Sequence, residues 1–178
     1  MNSFERALRN KKRFGCLLLA FDELYGKDFV DDFMIQGIMS SIDTKNTRDL
    51  IHIANDFSQV KDLSVIASVP EDGDYFNVKY FDVNKHFPIA MNTPDTVAVL
   101  FGEDFCVSVL GYDIKHNLYI IKFETVEDVP LDLIAYPQEG SNAFVVKAEE
   151  LESFKFGACA IFMRRPKVMP FSNPEIPD

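Results

Sequence analysis

The chain has 178 residues, of which 47% are hydrophobic and 26% are charged, and its formal net charge is −10. This length and composition indicate one globular domain, and the 17 phenylalanines and six tyrosines argue against an intrinsically disordered chain. No apolar run approaches the roughly 20 residues that a membrane-spanning helix needs, so we expect no membrane partner.

The charges are divided unevenly along the chain. Residues 1–13 carry five basic side chains and one acid, which gives this end a net charge of +4. The stretch 14–163 holds ten basic and 25 acidic residues, whereas 164–178 has a net charge of +1. Because a strongly acidic body repels phosphate, we expect no direct contact with nucleic acid.

The first third of the chain predicts helices around one buried strand. Residues 1–13 form a basic N-terminal arm or short helix, and the apolar run 14–21 is interpreted as an interior strand. A helix is expected from Asp28, because apolar residues then recur at three- and four-residue spacing. A second helix is expected to begin near Thr47.

The remainder of the body predicts strands. Hydrophobic alternation in 63–69 and 75–83 flanks an acidic turn, which is typical of a β-hairpin. A meander of three strands is expected within 96–123. Further predicted elements are strands at 131–136, 143–147 and 156–163, and one helical turn at 148–154.

Together these elements predict the fold class and the domain organisation. Regular alternation of strands and helices is missing, which argues against a doubly wound α/β sheet. We therefore expect an α+β fold with a single β-rich domain. It would contain a mostly antiparallel, curved sheet of about seven to nine strands with one or two packed helices, and its body would span residues 14–165.

The C-terminal residues 166–178 differ from the body in composition. Prolines recur there every three or four residues, a pattern that favours extended backbone over helix or sheet. The segment also carries four apolar anchors, Val168, Met169, Phe171 and Ile176. An extended arm with such anchors suits docking onto a protein surface.

No pattern of residues indicates a cofactor, a metal site or a known catalytic motif. The three cysteines lie in separate apolar runs, which predicts buried, reduced thiols and a cytoplasmic, intracellular location. The three histidines lack the spacing of zinc ligands. A nucleophilic pair of Cys106 with His86 or His116 stays open, because such partners meet only in the fold.

The most direct functional hypothesis is a non-enzymatic interaction or assembly protein that binds a protein partner or further copies of itself. A small chain without catalytic motifs also fits a virion-associated structural component from a virus or phage. Alternative hypotheses are an acidic inhibitor or nucleic-acid mimic that blocks a host enzyme, and an enzyme with an unrecognised site. The candidate interaction residues are the basic and apolar side chains near the two ends: Arg6, Arg9, Lys11, Lys12, Arg13, Arg164, Arg165, Val168, Met169, Phe171 and Ile176.

Overall fold

In the computed structural model, the described part of the chain is one antiparallel sheet with helices on both faces. The structure describes residues 3–28, 30–31, 63–69, 74–76, 83–101, 106–123, 128–140, 142–153 and 158–164. Within these residues the helices are α1 (Ser3–Tyr25), α2 (Val83–Met91) and α3 (Ala148–Glu152). The strands are β1 (Leu63–Val69), β2 (Asp74–Phe76), β3 (Thr96–Phe101), β4 (Cys106–Asp113), β5 (Leu118–Lys122), β6 (Ala135–Pro137), β7 (Ala143–Lys147) and β8 (Ala158–Arg164).

The α+β character and the antiparallel pairing are confirmed. The strand order is β2-β1-β8-β3-β4-β5-β7-β6, and every neighbouring pair runs antiparallel. Only six strands in the described ranges have five or more residues, since β2 and β6 are three-residue strands at the ends of the sheet. The number of full-length strands is therefore lower than the seven to nine expected.

The prediction of an interior strand at 14–21 is wrong, because these residues form the second half of α1. An apolar run of eight residues does not by itself distinguish a buried strand from a buried helix. The structure decides in favour of the helix: no proline interrupts Ser3–Tyr25, and the buried residues Phe14, Leu17 and Phe21 follow helical spacing. The expected boundary between an arm and a body at residue 13 thus falls inside one helix.

Several predicted strands are confirmed. The hairpin pairs β1 with β2 through Ser68 opposite Tyr75, and β3, β4 and β5 form the expected meander. The strand β8 lies between β1 and β3, near the middle of the sheet. The predicted helical turn after β7 is the helix α3.

Two further predicted strands differ from the structure, and three predicted elements lie wholly or mainly outside the described residues. Residues from Val83 form the helix α2 in place of the end of a strand, and Pro88 lies inside that helix. The predicted strand 131–136 is reduced to Ala135–Pro137. The main parts of the helices expected from Asp28 and near Thr47, and the proline-rich arm, lie outside the described residues.

Two hydrophobic clusters lie on opposite faces of the sheet. On one face, α1 covers β3, β4 and β8, and its cluster joins Phe14, Leu17 and Phe21 to Val99 and Phe162. The other cluster lies beneath α2 and α3 and extends further, across β5 and β7. Since α1 packs on β3 and β4, the α1 side of β5, β7 and β6 lies beyond the helix.

Candidate interaction surface

The basic residues expected near the N-terminus lie along α1, and the side chains that the structure describes have different environments. Lys11 is exposed. The Lys12 ammonium lies 3.1 Å from Asp128 Oδ1, with the lysine side chain 42% exposed and the aspartate 15% exposed. Arg6 and Arg9 belong to α1, but their side chains lie outside the described set. Lys12 is thus engaged by a carboxylate of its own chain.

Arg13 is buried, in contrast to the expectation that it contributes to an accessible interaction surface. Its side chain is only 2% exposed, and its guanidinium carbon lies 5.4 Å from the centre of the Phe101 ring. A guanidinium over an aromatic face is attracted by the ring quadrupole, more strongly where water is excluded. The position of Arg13 on the inner face of α1 places it against β3.

Arg164, the last residue of β8, also contacts its own chain. Its Nη1 donates a hydrogen bond of 2.9 Å to the backbone oxygen of Leu24, and its guanidinium lies over the ring of Tyr25 at 4.8 Å. This arginine therefore connects the sheet to the end of α1. The other C-terminal candidates, Arg165, Val168, Met169, Phe171 and Ile176, lie outside the described residues.

A different surface, which sequence reasoning did not identify, lies at the β6 end of the sheet. In the described part of the chain, β6 pairs with β7 and no strand pairs with its other edge. Gln138 N–H donates to the backbone oxygen of Ala143 at 2.9 Å, so its amide faces β7. Because amide direction alternates along a strand, the backbone groups of Ala135 and the carbonyl of Pro137 face outward. Proline suits this position, since it lacks the N–H that the open edge would otherwise expose.

Large apolar side chains surround this open edge. Leu131 is fully exposed, Ile134 is 54% exposed and Tyr136 is 56% exposed. Tyr136 lies opposite Val145 of β7, which in turn lies opposite Ile120 of β5. Paired residues share a face of a sheet, so the apolar row continues along the α1 side of the sheet beyond the helix. We call these five residues and the open edge of β6 the β6 edge surface.

Carboxylates border the β6 edge surface. The sequence from residue 128 to residue 153 contains six acidic residues and one basic residue, Lys147. Asp132, Glu139 and Glu149 are exposed, and Glu150 Oε2 accepts a hydrogen bond of 3.3 Å from the amide of Ile134. An apolar strip with a negative border is complementary to a segment that is both basic and apolar.

The strand pattern at 131–136 was the only sequence signal for this surface. Residues 131–136 were predicted as a strand, and Leu133 within this stretch is 8% exposed and points inward. The sequence did not show that this strand ends the sheet. Exposure of Ile134 and Tyr136 follows from that edge position, which is a property of the strand order.

The structure separates one of the two candidate nucleophile pairs. Cys106 begins β4 and is buried, whereas His116 lies in the turn that follows the other end of β4. His116 Nδ1 lies 2.8 Å from Asp113 Oδ2 on the surface. The side chain of His86 lies outside the described set. Among the side chains that the structure describes, no group of three or more potential ligands is arranged to hold a metal ion.

None of the helices in the described ranges is both long enough and apolar enough to cross a bilayer. No protein-family model, curated protein or solved structure matches the chain.

Proposed function

We propose that this protein is a non-enzymatic assembly protein, and that the β6 edge surface is where it binds an extended segment of a second copy. The observation that carries this proposal is the open edge of β6 beside the exposed side chains of Leu131, Ile134 and Tyr136. An open strand edge supplies backbone groups for strand addition, and adjacent apolar side chains supply buried area.

The segment that we propose as occupant is 165–171 of the second copy. It carries Arg165 and Lys167, which complement the acidic border, and the apolar residues Val168, Met169 and Phe171. These are the interaction residues that the sequence indicates, and the proposal gives them a site. Arg164 supports this assembly by holding the end of β8, the strand that precedes the segment, against the end of α1.

The proline positions are compatible with strand addition. Pro166 and Pro170 are four positions apart, so in an extended segment their nitrogens point to the same side. The amides of the alternate residues, Arg165, Lys167 and Met169, then point to the opposite side and can face β6. A strand with prolines only on its outer side is compatible with an edge position.

Sedimentation velocity over a range of protein concentrations tests the proposal on the full chain. We expect the wild-type protein to self-associate, and the double variant Ile134→Ser/Tyr136→Ser to remain monomeric under the same conditions. Both side chains are more than half exposed, so the substitutions leave the fold intact. Ile89→Ser is the matched control, because Ile89 is 67% exposed but lies on α2, over β3 and β4.

The occupant is tested separately. Removal of 166–178, or charge reversal of Arg165 and Lys167 to glutamate, is expected to reduce association as the edge variant does. A wild-type chain that stays monomeric at all concentrations overturns self-assembly. Association that survives the edge substitutions overturns the β6 edge surface as the site, and association that survives truncation overturns the choice of occupant.

Salt separates this proposal from the acidic inhibitor or nucleic-acid mimic. The strength of a contact made by exposed charges falls steeply with ionic strength, whereas apolar contacts and strand pairing persist. We therefore expect the association to weaken only moderately when salt is raised. Its loss at moderate salt would favour a purely electrostatic partner.

A further inference from the structure

The thiols of Cys16 and Cys106 lie together between α1 and β4. Their Sγ atoms are 2.8 Å apart, although 90 residues separate them in the chain. Both side chains are buried, with Cys16 1% exposed and Cys106 5% exposed. Sequence reasoning treated them as separate small hydrophobic residues, and only the packing of α1 on the sheet brings them together.

Two hydrogen bonds hold the helix in place beside these sulfurs. Ser108 Oγ donates to the backbone oxygen of Cys16 at 2.7 Å, and Cys106 Sγ donates to the backbone oxygen of Lys12 at 3.3 Å. The contacts lie on neighbouring turns of α1 and on alternate residues of β4. They fix the helix along the strand, so the two sulfurs are held at this spacing.

We infer that Cys16 and Cys106 form a modification site, at which a peroxide converts the thiol pair to a disulfide between α1 and β4. A disulfide places its sulfurs about 2.05 Å apart, so the sulfurs need to approach by less than about 1 Å. Two cysteines whose sulfurs are already in contact can be joined without a large backbone movement. This inference does not depend on the proposed assembly function.

The chemistry balances with hydrogen peroxide as the oxidant. Cys106, the more exposed of the two, loses its thiol proton to solvent, and its thiolate attacks one peroxide oxygen. The O–O bond breaks, leaving a sulfenic acid on Cys106 and a hydroxide, which takes up a proton to become water. The Cys16 sulfur then attacks the Cys106 sulfur, the S–O bond breaks, and the departing hydroxide takes up the Cys16 thiol proton and leaves as a second water. Two thiols and one peroxide thus give one disulfide and two waters.

Because both thiols are buried, the access of peroxide to Cys106 controls the rate of this reaction. Cys106 is the first residue of β4, and strand ends open more readily than strand centres. Cys159 is the matched control, because it is also buried but belongs to the cluster on the opposite face of the sheet. A reaction governed only by burial would treat Cys106 and Cys159 alike, whereas a reaction governed by thiol proximity selects Cys16 and Cys106.

The test treats the folded full chain with hydrogen peroxide, blocks remaining thiols after unfolding, and maps disulfides by mass spectrometry without reduction. We expect a mass loss of about 2 Da, corresponding to two hydrogens, and one cross-linked peptide pair containing Cys16 and Cys106. Cys159→Ala is expected to retain this pair, whereas Cys16→Ala and Cys106→Ala are expected to lose it. The oxidised wild type is expected to melt about 5–10 °C higher than its reduced form, because the link closes a long loop.

Some outcomes would overturn the inference. These are no intramolecular disulfide in the oxidised wild type, a cross-link that contains Cys159, or a cross-link between two chains. If Cys16→Ala or Cys106→Ala fails to fold, the peptide map of the wild type and of Cys159→Ala decides the result without them.

Discussion

Arg164 Nη1 donates to the backbone oxygen of Leu24 at 2.9 Å, and this bond joins the end of β8 to the end of α1. The last carbonyls of a helix have no partner within the helix, and they carry its negative dipole end. The last turn of α1 contains no basic residue of its own and includes Asp22 and Glu23. Arg164 therefore supplies from the sheet the positive charge that the end of this helix lacks.

A second feature completes the end of α1. Gly26 has a φ of 88°, and its amide donates to the backbone oxygen of Asp22 at 3.0 Å. This is the left-handed helix end that glycine adopts at low cost. The helix is thus ended locally by Gly26 and anchored to the sheet by Arg164.

We expect Arg164→Ala to lower the free energy of unfolding by about 1–3 kcal/mol, because it removes a charged hydrogen bond and the contact with the Tyr25 ring. Arg164→Lys keeps the charge without the planar guanidinium and is expected to lie between the alanine variant and the wild type. Urea unfolding followed by circular dichroism measures the difference. Equal midpoints for wild type and Arg164→Ala would contradict this role.

We expect a larger loss of stability from a substitution at the centre of the hydrophobic cluster between α1 and the sheet. Phe21 is fully buried and meets the ring of Phe162 edge to face, with the ring centres 4.9 Å apart. Phe21→Ala is expected to cost about 3–5 kcal/mol, since it removes a large buried side chain and leaves a cavity. Ile89→Ala is the control, because Ile89 is 67% exposed and lies outside the β6 edge surface, so its removal is expected to change stability by less than about 0.5 kcal/mol. Similar denaturation midpoints for the two variants would show that α1 does not cover the sheet in this way.

We expect that the buried hydroxyl of Tyr119 can be removed without destabilising the protein. This oxygen is buried without a hydrogen-bond partner, and Tyr119 contacts Phe87 and Tyr112 through its ring. Burial is the main cause that raises the pKa of Tyr119 above its ordinary value of 10.0. Since Tyr119→Phe keeps the ring and removes an unsatisfied polar atom, we expect stability to be unchanged or to rise by about 1–2 kcal/mol.

Tyr112→Phe is the comparison for Tyr119→Phe. The Tyr112 hydroxyl donates to Asn117 Oδ1 at 2.6 Å, so its removal is expected to lower stability slightly. Thermal unfolding of both variants checks the prediction. A clear loss of stability in Tyr119→Phe would mean that the hydroxyl has a partner in solution.

The buried thiol of Cys159 is expected to make the protein less stable in alkaline solution. Burial raises the pKa of its thiol from 9.0 to about 12. Above the ordinary thiol pKa the unfolded chain releases this proton while the folded chain keeps it, so rising pH favours unfolding. Between these two pKa values the free energy of unfolding is expected to fall by about 1.4 kcal/mol per pH unit through this group.

The contribution of Cys159 is isolated by comparing wild type with Cys159→Ala. The difference in unfolding free energy between the two is expected to be constant below pH 9.0 and to shift against the wild type as pH rises towards about 12. Urea unfolding at a series of pH values gives this difference. Parallel curves for the two proteins would show that the thiol ionises equally in both states.

The surface pair of Asp113 and His116 is expected to stabilise the fold less as the solution becomes acidic. The hydrogen bond from His116 is the main cause that lowers the pKa of Asp113 below 3.8, with backbone bonds from His116 and Lys115 also contributing. The stabilisation from this pair is present above 3.8 and is lost as pH falls through the lower pKa of the folded state. We expect His116→Ala to raise the Asp113 pKa in a carboxyl carbon NMR titration, and an unchanged titration curve would contradict the pairing.

The sequence by itself determined the elements whose pattern is local. Alternation of apolar residues specified the hairpin of β1 with β2, because side chains on a strand alternate between two environments. Turn-forming residues between apolar runs specified the meander of β3, β4 and β5. The burial of all three cysteines was likewise predicted from their apolar neighbours and is confirmed. The acidic character of the body follows from composition alone.

Tertiary structure decided what the local pattern left open. The run 14–21 was equally compatible with a strand and a helix, and the continuation of α1 on both sides of it resolved the choice. Packing also turned Arg13 and Arg164, which a charge pattern places on an interaction surface, towards aromatic rings and backbone of their own chain. The contact of Cys16 with Cys106 and the edge position of β6 depend on residues distant in sequence, so no local pattern specifies them.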